Sequence, residues 1–152
     1  MIIWQDWRFL LVIFGNEIEK VLTANDIGNT NSHQAGFLVP HKLVQQGLFP
    51  VLEDKTQNPR VLINSIEIET NKNYLLNYIK YNNKRFGGTR YEYRITGVRG
   101  LLRHNLLRPG DSILFRPIDL GTFGVSFIHR NRKTLEINGG SWIIKREVEN
   151  GL

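Results

Sequence analysis

The chain has 152 residues, 41% of them hydrophobic and none of them cysteine, and 20 Lys and Arg against 14 Asp and Glu give a formal charge of +6. That length fits one domain with an ordinary core, and the lack of cysteine excludes disulfides, thiolate catalysis and cysteine-ligated zinc. The charge is concentrated: residues 80–108 hold Lys80, Lys84, Arg85, Arg90, Arg94, Arg99, Arg103 and Arg108 against Glu92 alone, a net +7, so the rest of the chain sums to −1. Clustered positive charge attracts a polyanion, and nucleic acid is the first partner to consider.

Ile3, Trp4, Trp7, Leu10, Leu11 and Phe14 fall at helical spacing and predict an amphipathic helix over 3–14, ended by Gly15 and Asn16. A strand is the competing reading, because residues 9–14 are apolar all round. That six-residue run is too short to span a bilayer, and Asp6 and Arg8 without a small-residue cleavage site make a poor secretory signal, so a cytoplasmic protein with no membrane partner is expected. Short β-type segments follow at 18–23, 35–39, 61–68, 74–81, 91–96, 112–116, 125–129 and 134–137, while 142–148 reads as strand or helix. Eight short strands predict a barrel or sandwich. Pro40 opens a short helix through Gln46 with Gly47 at its end, and 101–107 predicts another before the turn at Pro109 and Gly110. Two connections, 24–34 and 82–89, are long and polar where hairpins are normally tight, and such loops often carry function.

On a strand through 90–95, Arg90, Glu92 and Arg94 share one face, and Tyr91, Tyr93 and Ile95 take the other, core-like face. Guanidinium bonds guanine O6 and N7 in bidentate fashion and a carboxylate accepts from cytosine N4, so the first set suits base reading. The alternative is a solvated face whose Arg and Glu pair across the sheet. Lys80, Lys84 and Arg85 lie beside Gly87 and Gly88, where the backbone can approach another chain, and phosphate contact is their natural role, with solvated lysines as the alternative. In the earlier connection Asn25, Asp26, Asn29, Thr30, Asn31, Ser32, His33 and Gln34 form a dense polar run. Asn and Gln pair with adenine N6 and N7, yet Asn, Asp and Gly are also ordinary turn residues. Asn25, Asp26 and Gly28 read as turn; His33 and Gln34, entering a strand, read as contacts, and Asn31 is counted with them.

Catalysis is not expected. Pro50, Glu53 and Lys55 loosely echo half of a metal-dependent nuclease site, which would need Asp26 as its second carboxylate. His33, His41, His104 and His129 lack metal-ligand spacing, and no nucleophile is marked with its base, so neither a metal nor a cofactor is called for. Trp4, Trp7 and Trp142 read as core, although exposed aromatics beside the basic window would stack on single-stranded bases, which keeps a nonspecific single-strand binder as an alternative.

The runs LTANDIGNTNSHQAGFLVP (22–40) and YNNKRFGGTRYEYRIT (81–96) together resemble the amino-terminal, effector-binding domain of the EcoRII restriction endonuclease, one of the B3-like DNA-binding pseudobarrels. The shared residues are Ala24, Asn25, Asp26, Gly28, Thr30, His33, Gln34, Gly36 and Pro40, then Phe86, Gly87, Thr89, Arg90, Glu92, Arg94, Ile95 and Thr96. They span about a quarter of the chain, and LLRPGDSILF (106–115) is similar to a late turn and strand of such domains. The resemblance implies a mainly β fold, a seven-stranded open pseudobarrel with short flanking helices. It implies two arms, near 20–34 and 84–94, that grip the major groove of double-stranded DNA, with contacts at Lys20, His33, Arg90, Glu92 and Arg94. It also implies a short G·C-flanked target of the CC(A/T)GG kind bound by one protein copy. Where the resembling domain has Lys, this chain has Gly88 and Tyr93, which places Tyr93 among the contact positions; Leu38 replaces an aromatic. A nuclease domain fused in a longer chain is expected, with a stand-alone recognition protein as the other reading.

Overall fold

The computed structural model describes residues 16–28, 35–130 and 142–146. They form one sheet of eight strands: β1 Asn16–Val21, β2 Gly36–Val39, β3 Arg60–Glu67, β4 Asn73–Tyr81, β5 Glu92–Thr96, β6 Ser112–Asp119, β7 Thr122–Ile128 and β8 Trp142–Arg146. Their order is β2-β5-β4-β3-β7-β6-β1-β8, and all neighbours are antiparallel except β3 and β7. The segment left open between strand and helix is β8, which pairs with β1 and adds an eighth strand to the seven that the resemblance implied. The helix expected at 3–14 and the strand expected at 134–137 lie outside the described residues.

Two short helices interrupt the strands. Helix α1, His41–Gln45, turns Leu43 and Val44 inward; Pro40, expected in its first turn, instead caps it in an extended conformation that suits the residue's fixed φ. Helix α2, Arg99–His104, buries Leu101 and Leu102. It starts two residues earlier than expected and stops short of Leu107, because Asn105 Nδ2 donates to the Leu101 carbonyl at 2.9 Å and Leu106 turns left-handed, with φ 52°. No helix among the described residues is long and apolar enough to cross a membrane.

A single sheet with two short helices has no second layer to cover its apolar face, so it must curl around its own core. Phe49, on the irregular segment after α1, packs against Tyr78 of β4 at 5.8 Å between ring centroids, Phe123 of β7 at 5.1 Å and Phe115 of β6 at 6.4 Å. Strands from both halves of the sheet therefore meet on one ring. The buried Tyr78 hydroxyl donates to the Pro50 carbonyl at 2.8 Å, and Tyr93 Oη accepts from the Leu52 amide at 3.3 Å, which fastens this segment across the open pseudobarrel.

The topology also sets the position of the two long connections. Strands β2 and β5 pair antiparallel with Gly36 opposite Thr96 and Val39 opposite Tyr93. The first connection enters β2 at its Gly36 end, and the second enters β5 at the other end of the same ladder. At about 3.4 Å per residue they flank the five residues of β5, roughly 17 Å, with its outward face between them.

Candidate nucleic-acid interface

Tyr93 and Ile95 are buried, while Glu92, Arg94 and Thr96 are partly exposed, which is the alternation expected of a strand with one face on the core. Arg90 continues the outward row. Its Nε donates to Glu92 Oε1 at 3.1 Å and its Nη2 reaches the same oxygen, while Arg94 Nη1 lies 4.0 Å from it. The Arg90 guanidinium carbon also lies over the Tyr81 ring, 3.9 Å from its centroid. Partly exposed ion pairs of this kind add little stability, so their effect is to fix geometry: two guanidinium groups and one carboxylate are held in a row, each partly exposed. They overlook a polar concavity of about 250 Å³ whose walls include Tyr81, Arg90, Arg94 and Thr96 on one side and Asn25, Ala35 and Gly36 on the other. Asn25, read from sequence as a turn residue, thus reaches the same hollow.

The second connection is built on a partly buried carboxylate. Asp54 accepts from Asn82 Nδ2 at 3.1 Å and Tyr91 Oη at 3.1 Å, and pairs with Lys80 Nζ at 3.0 Å and Arg85 Nε at 2.8 Å. Burial pushes the Asp54 carboxyl up, but the bonds donated by Asn82, Lys80 and Tyr91 and the Lys80 charge outweigh it, so the group sits below its ordinary value. Asn82 is fully buried; it also donates to the Thr56 carbonyl at 2.9 Å and accepts from the Asn58 amide at 2.7 Å. Tyr91 stacks on His41 at 5.4 Å, with Lys80 Nζ 4.8 Å from its ring centroid. Above this base, Asn83–Phe86 form a single 3₁₀ turn closed by Gly87 at φ 89°, a conformation that suits glycine. Gly88 makes its close approach to the arm itself: a Cβ there would lie 2.8 Å from Asn83 Cβ.

Lys80 therefore takes a place other than the surface expected for it, and Tyr93 follows the core-facing alternation of the strand rather than the contact position that the resemblance implied. Both sit on the inward face, where Lys80 spends its charge on Asp54 and donates to the Leu52 carbonyl at 3.2 Å. Lys84 is exposed and makes no ion pair among the described residues, and Arg85 keeps 60% of its side chain exposed while one edge is tied to Asp54. The first connection leaves β1 by a comparable device. Lys20 Nζ lies 3.0 Å from Asp26 Oδ2, and Asp26 and Thr23 exchange reciprocal bonds, Thr23 N to Oδ2 at 2.8 Å and Asp26 N to Thr23 Oγ1 at 3.1 Å. Lys20, expected as a contact, is 5% exposed and holds the foot of the arm. Asn31, His33 and Gln34 lie outside the described residues.

Comparison with known proteins places this architecture. The family model of the restriction endonuclease EcoRII N-terminal domain matches residues 16–113, which include both connections and the strands that carry them. The chain belongs to that family. The type II restriction enzyme EcoRII of Escherichia coli is 37% identical over 79 residues, covering 51% of this chain and 19% of the enzyme, so the match spans about a fifth of that relative. Among solved structures, the Arabidopsis FUS3–DNA complex superposes with a TM-score of 0.56 at 16% identity, covering 74% of this chain and 96% of that one. The B3 domain of the UbaLAI restriction endonuclease with cognate DNA superposes with a TM-score of 0.51 at 21% identity, covering 86% of each chain. The fold is a B3-like pseudobarrel.

In this EcoRII-type domain the carboxylates considered for a nuclease do not converge. Asp26 is turned inward to Lys20 and Thr23, while Glu53 and Lys55 pair with each other in solvent at 2.8 Å. Sequence reasoning missed Asp54, Asn82 and Tyr91, the residues that fix the second arm. Their partners lie 24 to 37 residues away along the chain, and no local pattern announces them.

Proposed function

We propose that this domain recognises a short sequence in double-stranded DNA through the major groove, with Arg90 and Arg94 bonding guanine edges and Glu92 accepting from cytosine N4. Lys84 and Arg85 hold phosphates and set the register; Asn31, His33 and Gln34 of the first arm read from the other side. Lys20 and Lys80 act indirectly by holding the arms. The observation that carries the reading is the preset Arg90–Glu92–Arg94 row between two anchored arms, in a chain of the EcoRII N-terminal family. That FUS3 and the UbaLAI B3 domain were solved with DNA supports it. A G·C-flanked target of the CC(A/T)GG kind, bound by one copy in the cytoplasm, fits two dissimilar arms. Cleavage would belong to a nuclease domain elsewhere in a longer enzyme.

A second reading draws on Phe86, an aromatic half-exposed on the second arm, which would serve base stacking on single strands. Selection from a randomised duplex pool with single-stranded competitor separates the two. Specific recognition predicts one enriched duplex preferred over random duplex by about 10³-fold or more; unselective capture of the single strand would refute it.

A further inference from the structure

Five of the eight basic residues in 80–108 belong to the second arm and the row beside it. The other three, Arg99, Arg103 and Arg108, line a single groove of about 810 Å³ against Ile27 and Gly28 of the first arm. All three are exposed, and among the described residues none makes an ion pair and no acid lines the groove. We propose that this groove is a second phosphate track, which holds duplex DNA beyond the bases read at Arg90, Glu92 and Arg94. The inference rests on the proposed function and extends its footprint.

Three observations carry it. Arg99 and Arg103 stand one turn apart on α2, a like-charge spacing that works against a helix and is relieved by a bound anion. The end of α2 bonds back on itself, Leu106 N to the Arg103 carbonyl at 3.2 Å and Leu107 N to the Leu102 carbonyl at 3.0 Å, with Leu106 in a left-handed conformation that a leucine adopts only at a cost. That turn brings Arg108 into the groove of the other two. Finally, the groove and the recognition hollow draw on the same two segments of chain: Thr96 lines the hollow and Arg99, three residues later, the groove, while the first connection offers Asn25 and Ala35 to the hollow and Ile27 and Gly28 to the groove. A duplex gripped by that arm must run on past it, and phosphates at that point meet unpaired guanidinium groups.

The test uses the full chain, the triple variant R99A/R103A/R108A, and duplexes carrying the selected site with flanks of increasing length, titrated at several salt concentrations. For wild type, longer flanks should raise affinity and steepen the salt dependence by about 2.7 units of slope, about 40-fold in affinity between 50 and 200 mM salt. The triple variant should match wild type on the shortest duplex, sequence preference included, and gain nothing with length, while R99K/R103K/R108K should keep the gain. A triple variant that gains with length as wild type does, or a wild type without any gain, would overturn the proposal; the first outcome would leave the groove to an acidic protein partner. Wild type lacking preference for the selected sequence on the shortest duplex would instead refute the recognition reading, since the length effect is sequence-independent. If the triple variant melts early, the three single variants decide, each expected to lose about one unit of slope.

Discussion

Glu92 Oε1 serves both Arg90 and Arg94, so each guanidinium is aimed before any ligand arrives. Arg94→Ala should then cost about 1–3 kcal/mol of binding and relax preference at one base pair, measured by titrating variants of the selected site; an equal loss for every sequence would make Arg94 a phosphate contact. Asp54 supports a different test. Asp54→Asn leaves the Lys80 ammonium buried without its counter-charge and should lower stability by about 2–4 kcal/mol in thermal or denaturant unfolding. Because the folded-state carboxyl titrates below its ordinary value, its contribution is fully present above about pH 4 and fades as pH falls through the lowered value, so the gap between wild type and D54N should close in that acid range and nowhere above it. At this scale the outward row of β5 was legible, since strand alternation needs only local sequence. The tasks of Lys20 and Lys80 were not: a lysine that holds an arm and one that holds a phosphate look alike until Asp26 and Asp54 are placed beside them.

The elements follow the apolar patterning closely, and their ends move where tertiary bonds intervene. Strand β7 begins at Thr122 rather than near 125 because it pairs with β3 as well as β6, and α2 ends early at its left-handed Leu106. The second arm has a fixed internal structure: the Lys84 amide donates to the Arg90 carbonyl at 2.9 Å and the Gly88 amide to the Asn83 carbonyl at 2.7 Å. Gly88→Ala forces its Cβ onto Asn83 and should loosen the arm by about 1–3 kcal/mol. Hydrogen exchange at the Lys84 amide should accelerate accordingly while the melting temperature barely moves; an unchanged exchange rate would mean the arm adjusts without strain. Lys84→Ala should weaken binding to all duplexes alike and lower the salt slope by about one unit. A selective loss at one sequence would show that Lys84 reads a base.

Across the described residues, a curled sheet closes on Phe49 and Tyr78, and the two connections enter opposite ends of one ladder, so the separation of their entry points is set by strand register. The barrel-like class was legible from the short apolar segments, seven of which fall on β1 to β7, and membership in the EcoRII N-terminal family from two gapped motifs on those connections. The parallel β3–β7 pairing was not, because strand order depends on contacts far apart in sequence. The central claim is that the row between the arms meets guanine edges in the major groove. Substituting 7-deazaguanine for each guanine of the selected site removes N7 and leaves base pairing intact. Wild type should lose about 1–3 kcal/mol at the guanine bonded by Arg90, and Arg90→Ala should lose nothing further there. Equal losses in both proteins at every guanine, or no loss in wild type, would contradict the account.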